Sequence, residues 1–404
     1  MKERLKILLL EDNYPDTEKL MHTLTSAEIK YELRLAEHKD RFLSELDDFN
    51  PDIIVSAYSL RDLGSLEALD IARGKRSDVP FILLTGPVSE EFAGDCIRAG
   101  VDDYILKNNI ALLPSSLKTI YAKAMARRAK DTILSMHQEL KMAYDKIEEN
   151  NKSMTDSINY AKLIQDAMLP ERAVLKDYFP NSLIIYRPKN IVSGDFYWFV
   201  RRGNKLFIAV ADCTGHGVPG SLISMIGNSL LNEIVNVKGI REPGAILSHL
   251  NHGVRRALKQ DRKGSQRYDG MDIALCAIDS DIREITFAGA NRHLIFFRGR
   301  ELEVLRGDKF GIGGLHDEAV IRFTNNKVTY AKDDIIYMFT DGYSDQFGGT
   351  KGKRMMTRNV LKILQKSLSF GVCEQEQLLN HWLDKWQGDY EQTDDILLIG
   401  IQLL

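Results

Sequence analysis

Cysteine is scarce in this chain of 404 residues: there are four, Cys96, Cys213, Cys276 and Cys373, far apart and without a CxxC pair. That spacing argues against a disulfide framework and a cysteine-ligated zinc site and fits a reducing cytoplasm, with each thiol read as a small buried apolar group. Long apolar runs are missing too, since none approaches the ~20 residues needed to span a bilayer. The run in MKERLKILLLED ends within a few residues at Glu11 and Asp12, as a strand does and a signal peptide does not. No membrane partner is expected. A basic excess is also absent: the net charge of −3 leaves no broad footprint for nucleic acid, and no basic recognition helix is present. Neither a GxxxxGK[ST] loop nor a kinase-type glycine loop occurs, which disfavours nucleotide-driven phosphoryl transfer. Finally, proline and glycine are both missing from Lys123 to Met168.

What is present is the composition of a soluble globular protein, 44% apolar and 27% charged, at a length suited to two or three domains. From Lys6 to about residue 122, apolar runs alternate with helical patterns: Ile7 to Leu10, Tyr31 to Leu35, Asp52 to Val55, Phe81 to Leu84 and Tyr104 to Leu106. Such β-α units predict a doubly wound parallel sheet with function at the carboxyl ends of its strands. Those ends carry Glu11 and Asp12, then Ala57, Thr85 and Lys107.

With its acidic pair, its threonine and the Tyr104-x-x-Lys107 pattern, this stretch resembles the receiver domain of two-component response regulators over its whole length. The resemblance implies a phospho-accepting aspartate after the third strand, a Mg²⁺ beside it and a cognate histidine kinase. In PDIIVSAYSL, however, position 57 is alanine, which has no nucleophile and no metal ligand. No aspartyl phosphate is expected there, and a histidine kinase becomes a partner only where position 57 is Asp. The domain is either naturally degenerate or altered by replacement, and retention of Glu11, Asp12, Thr85 and Lys107 favours replacement. The plainer alternative is that Lys107 merely pairs the carboxylates.

The breaker-free stretch carries a seven-residue repeat. Ile133, Leu140, Ile147, Met154, Ala161 and Met168 form one series, and Met136, Ala143, Asn150, Ser157 and Ile164 the other. These are a and d positions of a parallel dimeric coiled coil with a weak centre, in which Asn150 fixes register; an amphipathic helix packed on its own domain is the alternative. Pro170 ends the pattern. The predicted organisation is therefore a receiver over 1–122, a dimerising helix over 123–169 and a third domain over 170–404.

In the third domain the pattern changes to strands with short turns, with hairpins at Arg201 to Asn204 and Arg298 to Arg300 and helices over Ser221 to Val235, Ala245 to Lys259, Asn359 to Ser369 and Glu376 to Trp386. Sheets covered by helices, an α+β sandwich, are predicted. Acidic residues recur at strand ends: Asp195 before Phe196, Asp212 after an apolar run and before a glycine-rich turn, Asp341 after Phe339, and Asp394 and Asp395 before Ile396. One such carboxylate usually caps a helix or holds a turn. Four sites together, without His or Cys ligands, favour hard cations with oxygen coordination, Mn²⁺ or Mg²⁺. Two such ions clamp a phosphoryl group for in-line attack, which predicts hydrolysis of a phosphate ester.

SGDFYW at 193 to 198, VADCTGHGVPG at 210 to 220, GMDIALC at 270 to 276, FAGANRHL at 287 to 294, FTDGYSDQFGG at 339 to 349 and QTDDILLIGI at 392 to 401 resemble the SpoIIE/RsbU-like branch of the metal-dependent type-2C (PPM) protein phosphatases. The resemblance implies that Asp195 and Asp212 bind metal with the Cys213 carbonyl, and that Asp341 and Asp394 complete a two-ion site, with Asp395 the alternative ligand in the last motif. A thiol at Cys213, where many relatives have glycine, is a candidate for oxidation. His216 is either a general acid for the leaving oxygen or a hydrogen-bonded turn residue, and Asp272 either an added ligand or a strand-end residue. Lys351, Lys353 and Arg354 form either a mobile basic flap or a solvated loop. The family implies a phosphoprotein substrate, an anti-sigma-factor antagonist of STAS type. The reading is a cytoplasmic, dimeric response-regulator phosphatase. A catalytically weak partner-switching scaffold competes with it, and retention of every acidic site argues against that scaffold.

Overall fold

The computed structural model describes residues 4–87, 90–261, 268–314 and 322–404, and the chain divides into two compact units, Met1–Glu148 and Glu149–Leu404. In the first unit, β1 (Leu5–Leu10), α1 (Tyr14–Ser26), β2 (Tyr31–Ala36), α2 (Lys39–Asp48), β3 (Ile53–Ala57), α3 (Ser65–Lys75), β4 (Phe81–Thr85), α4 (Glu90–Ala99) and β5 (Asp103–Leu106) alternate. The strands form one parallel sheet in the order β2-β1-β3-β4-β5. Central strands of such a sheet lie between helices on both faces, which is why LKILLL, IIVSA and FILLT read as near-continuous apolar runs. The chain reverses direction across the sheet between β1 and β3, and Glu11 and Ala57 stand at the ends of those two strands.

A single helix, α5, runs from Leu113 to Met168. It begins before Lys123 because Leu113, Leu117 and Tyr121, spaced i, i+4, i+8, are buried in the receiver core. Further on, the seam residues Ile133, Met136, Leu140, Ile147, Met154 and Ile164 are exposed. Among the described residues no helix is long and apolar enough to cross a membrane.

After α6 (Arg172–Tyr178) the second unit is built on two sheets. Its strands are β6 (Ser182–Arg187), β7 (Phe196–Arg202), β8 (Lys205–Cys213), β9 (Gly270–Asp279), β10 (Glu284–Ala290), β11 (Leu294–Arg298), β12 (Glu301–Leu305), β13 (Ile312–Gly313), β14 (Asn326–Thr329), β15 (Ile335–Phe339), β16 (Phe347–Gly348), β17 (Lys353–Arg354) and β18 (Ile396–Gln402). One sheet has the order β14-β10-β9-β8-β7, with β13 paired to β9, and the other the order β12-β11-β15-β18-β6. Their inner faces meet through residues such as Ile208, Cys276, Phe287, Phe296, Met338 and Ile399. The outer face of the first is covered by α7 (Gly217–Asn232) and α8 (Pro243–Ala257). The short α9 (Gly342–Asp345) follows β15, and α10 (Thr357–Ser367) and α11 (Val372–Gln387) cover the second sheet. The result is the α+β sandwich expected from the strand pattern, and both expected hairpins are present, β7 to β8 and β11 to β12.

Candidate active site

Antiparallel register gathers the acid-bearing strand ends. Asp212 of β8 pairs with Asp272 of β9. Phe196, first in β7, pairs with Ala211, which brings Asp195 alongside Asp212. In the other sheet the Thr340 amide donates to the Leu397 carbonyl (2.9 Å), which joins the end of β15 to the start of β18 and so Asp341 to Asp394. Asp212, Asp272, Asp341 and Asp394 line one cavity of about 330 Å³. The loop after β8 is drawn in by Thr214, whose amide donates to the Gly270 carbonyl (2.9 Å). There the Gly215 carbonyl packs so closely on Gly194 and Gly220 that a Cβ would come within 2.5 and 2.1 Å of it, which restricts both positions to glycine.

The two acids of the last motif have different partners. Asp395 is buried and accepts the Lys189 amide on one oxygen (2.7 Å) and the Gly194 amide on the other (2.7 Å). It therefore fixes the 189–194 loop, while Asp394 faces the cavity. Asp195 is also buried; its Oδ2 accepts from Thr340 Oγ1 (2.7 Å), and its amide donates to Ser193 Oγ (3.0 Å). Burial, followed by the charge of Asp212, holds the Asp195 carboxyl well above the usual carboxylate range. Burial also pushes Asp212 up to about 7, with Arg292 opposing and Asp341 and Asp394 reinforcing the shift. Asp394 is raised as well, first by burial. Carboxylates this crowded are short of positive charge.

One residue unnoticed in the sequence supplies part of it. Arg292, in the loop between β10 and β11, places Nη2 against Asp212, 2.8 Å from Asp341 Oδ2 and 3.6 Å from Asp272 Oδ2. Burial works against its charge, but Asp212 and Asp341 outweigh that and hold the guanidinium above its ordinary value. It lies within FAGANRHL, and the signal available was the need of convergent carboxylates for a counter-charge. A second unnoticed residue is Gln165, near the end of α5. Its Nε2 donates to the Ser193 carbonyl (2.7 Å) and to Ser224 Oγ (3.0 Å), and its Oε1 accepts the Ser193 amide (3.0 Å). Gln165 therefore grips the segment that carries Asp195.

His216 is a turn residue held at both nitrogens, Nδ1 by Asn190 Oδ1 (2.7 Å) and Nε2 by Lys189 Nζ (3.0 Å). Cys213 is buried, and burial, then the charges of Asp195 and Asp212, raise its thiol well above its ordinary value, so the thiolate needed for ready oxidation is disfavoured. Cys96 and Cys276 are buried as expected; the side chain of Cys373 lies outside the described residues. In the basic segment Lys351 lies in an exposed turn, and Lys353 and Arg354 lie on the exposed strand of a short hairpin: β16 and β17 pair, the Gly349 amide donates to the Trp386 carbonyl (2.7 Å), and Arg354 pairs with Asp345 (3.0 Å). In the receiver, Lys107 Nζ donates to Glu11 (2.7 Å) and to Asp16 (2.7 Å) rather than to Asp12, which lies 4.0 Å from Arg61. Burial opposes the Lys107 charge, yet Asp16 and Glu11 leave it above its ordinary value. Ala57 and Thr85 are buried at the ends of β3 and β4.

Among the described residues no three His, Cys, Asp or Glu side chains stand grouped to hold one ion as they are. The point on which Asp212, Asp272 and Asp341 converge instead holds a cation of the protein's own, the Arg292 guanidinium. An all-oxygen donor set gathered round a positive charge is chemically suited to a hard divalent cation.

Two families match this chain: the one described as Stage II sporulation protein E (SpoIIE) over residues 202–404, and the response regulator receiver domain over residues 7–117. Phosphoserine phosphatase RsbU of Bacillus subtilis (strain 168) is 22% identical over 290 residues, 71% of this chain and 77% of that protein. The solved SiaA-PP2C domain of Pseudomonas aeruginosa is 31% identical with a TM-score of 0.57, covering 62% of this chain and 98% of that domain. Asp195 lies upstream of the SpoIIE match; the β7–β8 register sets it beside Asp212, but it is buried and is not among the residues that line the cavity.

Proposed function

This chain belongs to the SpoIIE family of protein serine/threonine phosphatases and carries a response-regulator receiver, and we propose that it hydrolyses phosphoserine or phosphothreonine on a partner protein at the carboxylate cluster around Asp212. One observation carries the reading: acids from the ends of β8, β9, β15 and β18 face one cavity around a cation. We assign Asp195, Asp212, Asp341 and Asp394 to two divalent ions, Mn²⁺ or Mg²⁺, with the Cys213 carbonyl as a further ligand and Asp272 at the same cavity. Asp395 is assigned instead to holding the 189–194 loop, because both its oxygens accept backbone amides. When bound, the ions supply Lewis-acid charge for in-line hydrolysis of a phosphate monoester. The side chains orient that charge: Thr340 fixes Asp195 from one side, and Ser193, gripped by Gln165, fixes its backbone from the other.

Likeness to a phosphoserine phosphatase supports phosphoserine as the substrate group, and the family resemblance supports a STAS-type anti-sigma-factor antagonist as the protein that bears it. Buried, unpaired thiols support a cytoplasmic setting. The test is phosphate release from a phosphoserine protein of that type and from an aryl phosphate, with Mn²⁺ and with a chelator. Release is expected only with the metal. Equal rates in both would remove the metal from the reaction.

The receiver and α5 form the regulatory part of this reading, in which two chains pair along the exposed seam from Ile133 to Ile164. As it stands, position 57, at the end of β3 next to β1, presents only a methyl group. Ala57→Asp restores a nucleophile, and incubation with acetyl phosphate and Mg²⁺ is expected to add one phosphoryl group to the variant and none at residue 57 of the parent chain. Mass spectrometry reads that outcome, and an unmodified variant would show that the receiver site is degenerate beyond this position. Sedimentation of the same samples is expected to give a dimer; a monomer throughout would remove the seam.

A further inference from the structure

We infer that Arg292 is an internal counter-cation that competes with the divalent metal for the carboxylate cluster, so that metal affinity depends on how readily this one side chain leaves. The inference rests on the metal reading of the site. Its first support is geometric: a single guanidinium nitrogen meets Asp212, Asp341 and Asp272, which come from three separate strand ends. One positive charge shared by three acids, with Asp394 in the same cavity, leaves the cluster undercharged. A divalent ion drawn to the same point supplies more charge there and prefers the same oxygen donors.

The second support is an unsatisfied donor. Arg292 Nε is buried and has no hydrogen-bond partner. A buried N–H without a partner is costly, comparable to a lost hydrogen bond, so this rotamer is held by the carboxylates at the tip and not by a cradle along the side chain. The third is the rigidity of the backbone beneath. The Asn291 amide donates to the Asp308 carbonyl (2.8 Å), and the Gly307 amide to His293 Nδ1 (3.2 Å). The Arg292 carbonyl is packed so tightly that a Cβ on Gly289 or Gly307 would lie 2.2 or 2.3 Å from it. Exchange between guanidinium and metal is therefore a change of side-chain rotamer and not a loop movement.

The experiment is calorimetric titration of Mn²⁺ into the full chain and into Arg292→Met and Arg292→Lys, with thermal unfolding of each in chelator. Charge-assisted hydrogen bonds of the kind Arg292 makes predict that Arg292→Met binds Mn²⁺ about ten- to a hundredfold more tightly. Arg292→Lys, which keeps a charge but loses the planar fork, is expected to fall between. In chelator the Met variant is expected to unfold at a lower temperature than the parent and to gain more on adding Mn²⁺. A purely structural arginine would not produce tighter metal binding. Equal or weaker affinity in both variants would overturn the inference while leaving the metal site intact. Absence of Mn²⁺ binding from the parent and both variants alike would overturn the metal reading and the inference together.

Discussion

Asp212→Asn is expected to lower phosphate release by at least about a hundredfold, since even partners that only orient a metal ligand cost 10- to 100-fold when removed. The substitution keeps the size of the side chain and the β8–β9 pairing, in which Asp212 faces Asp272. What it removes is a charge at the centre of the site, where Arg292, Asp341 and Asp394 all sense it. Far-UV circular dichroism and the unfolding temperature should therefore stay near those of the parent while the Mn²⁺-dependent rate collapses. A rate unchanged at saturating Mn²⁺ would take Asp212 out of the chemistry. Asp395→Asn provides a contrast, because it disturbs the Lys189 and Gly194 amides instead of the cavity.

The strand-end acids were legible because strand alternation and turn residues are local signals, and antiparallel pairing then carries those ends to one edge of the sandwich. Asp212 and Asp341 could be picked out before any fold was known, as could the receiver residues Glu11, Ala57 and Lys107. Which acid of the pair 394 and 395 faces the cavity was not legible, since that depends on Lys189 and Gly194, some two hundred residues away in sequence. Arg292 was hidden for a similar reason: nothing near it in sequence is acidic, and its three partners lie on other strands. The anchor of the basic hairpin at 347–354 is not legible in its own stretch of sequence, because Trp386 lies on α11. In the receiver Asp16 is not legible as a partner of Lys107, because the acidic pair at the strand end fits the local pattern while Asp16 sits in the first turn of α1.

Gln165→Leu is expected to weaken Mn²⁺ binding by about ten- to a hundredfold and to lower the phosphatase rate with it, the range seen when a group supporting a metal ligand is lost. Gln165 sits one residue past the seam position Ile164, and heptad spacing marks it only as a polar position. In the fold it is buried, and its amide pairs with both the N–H and the C=O of Ser193. Leu fills a similar volume but leaves those two backbone groups without partners, so the segment they belong to must shift to find others. That segment holds Asp195 through Ser193 Oγ and holds Asp395 through the Gly194 amide. On the proposed metal reading Gln165 is thus a positioning residue, connecting the last turns of α5 through Ser193 to Asp195. Titration calorimetry separates this role from plain stabilisation: a structural residue would change the unfolding temperature and leave Mn²⁺ affinity in the folded fraction alone. Gln165→Glu adds a second check, since a carboxylate still accepts the Ser193 amide but cannot donate to its carbonyl, so only part of the affinity should return. Mn²⁺ affinity and rate unchanged in the Leu variant would disconnect α5 from the site.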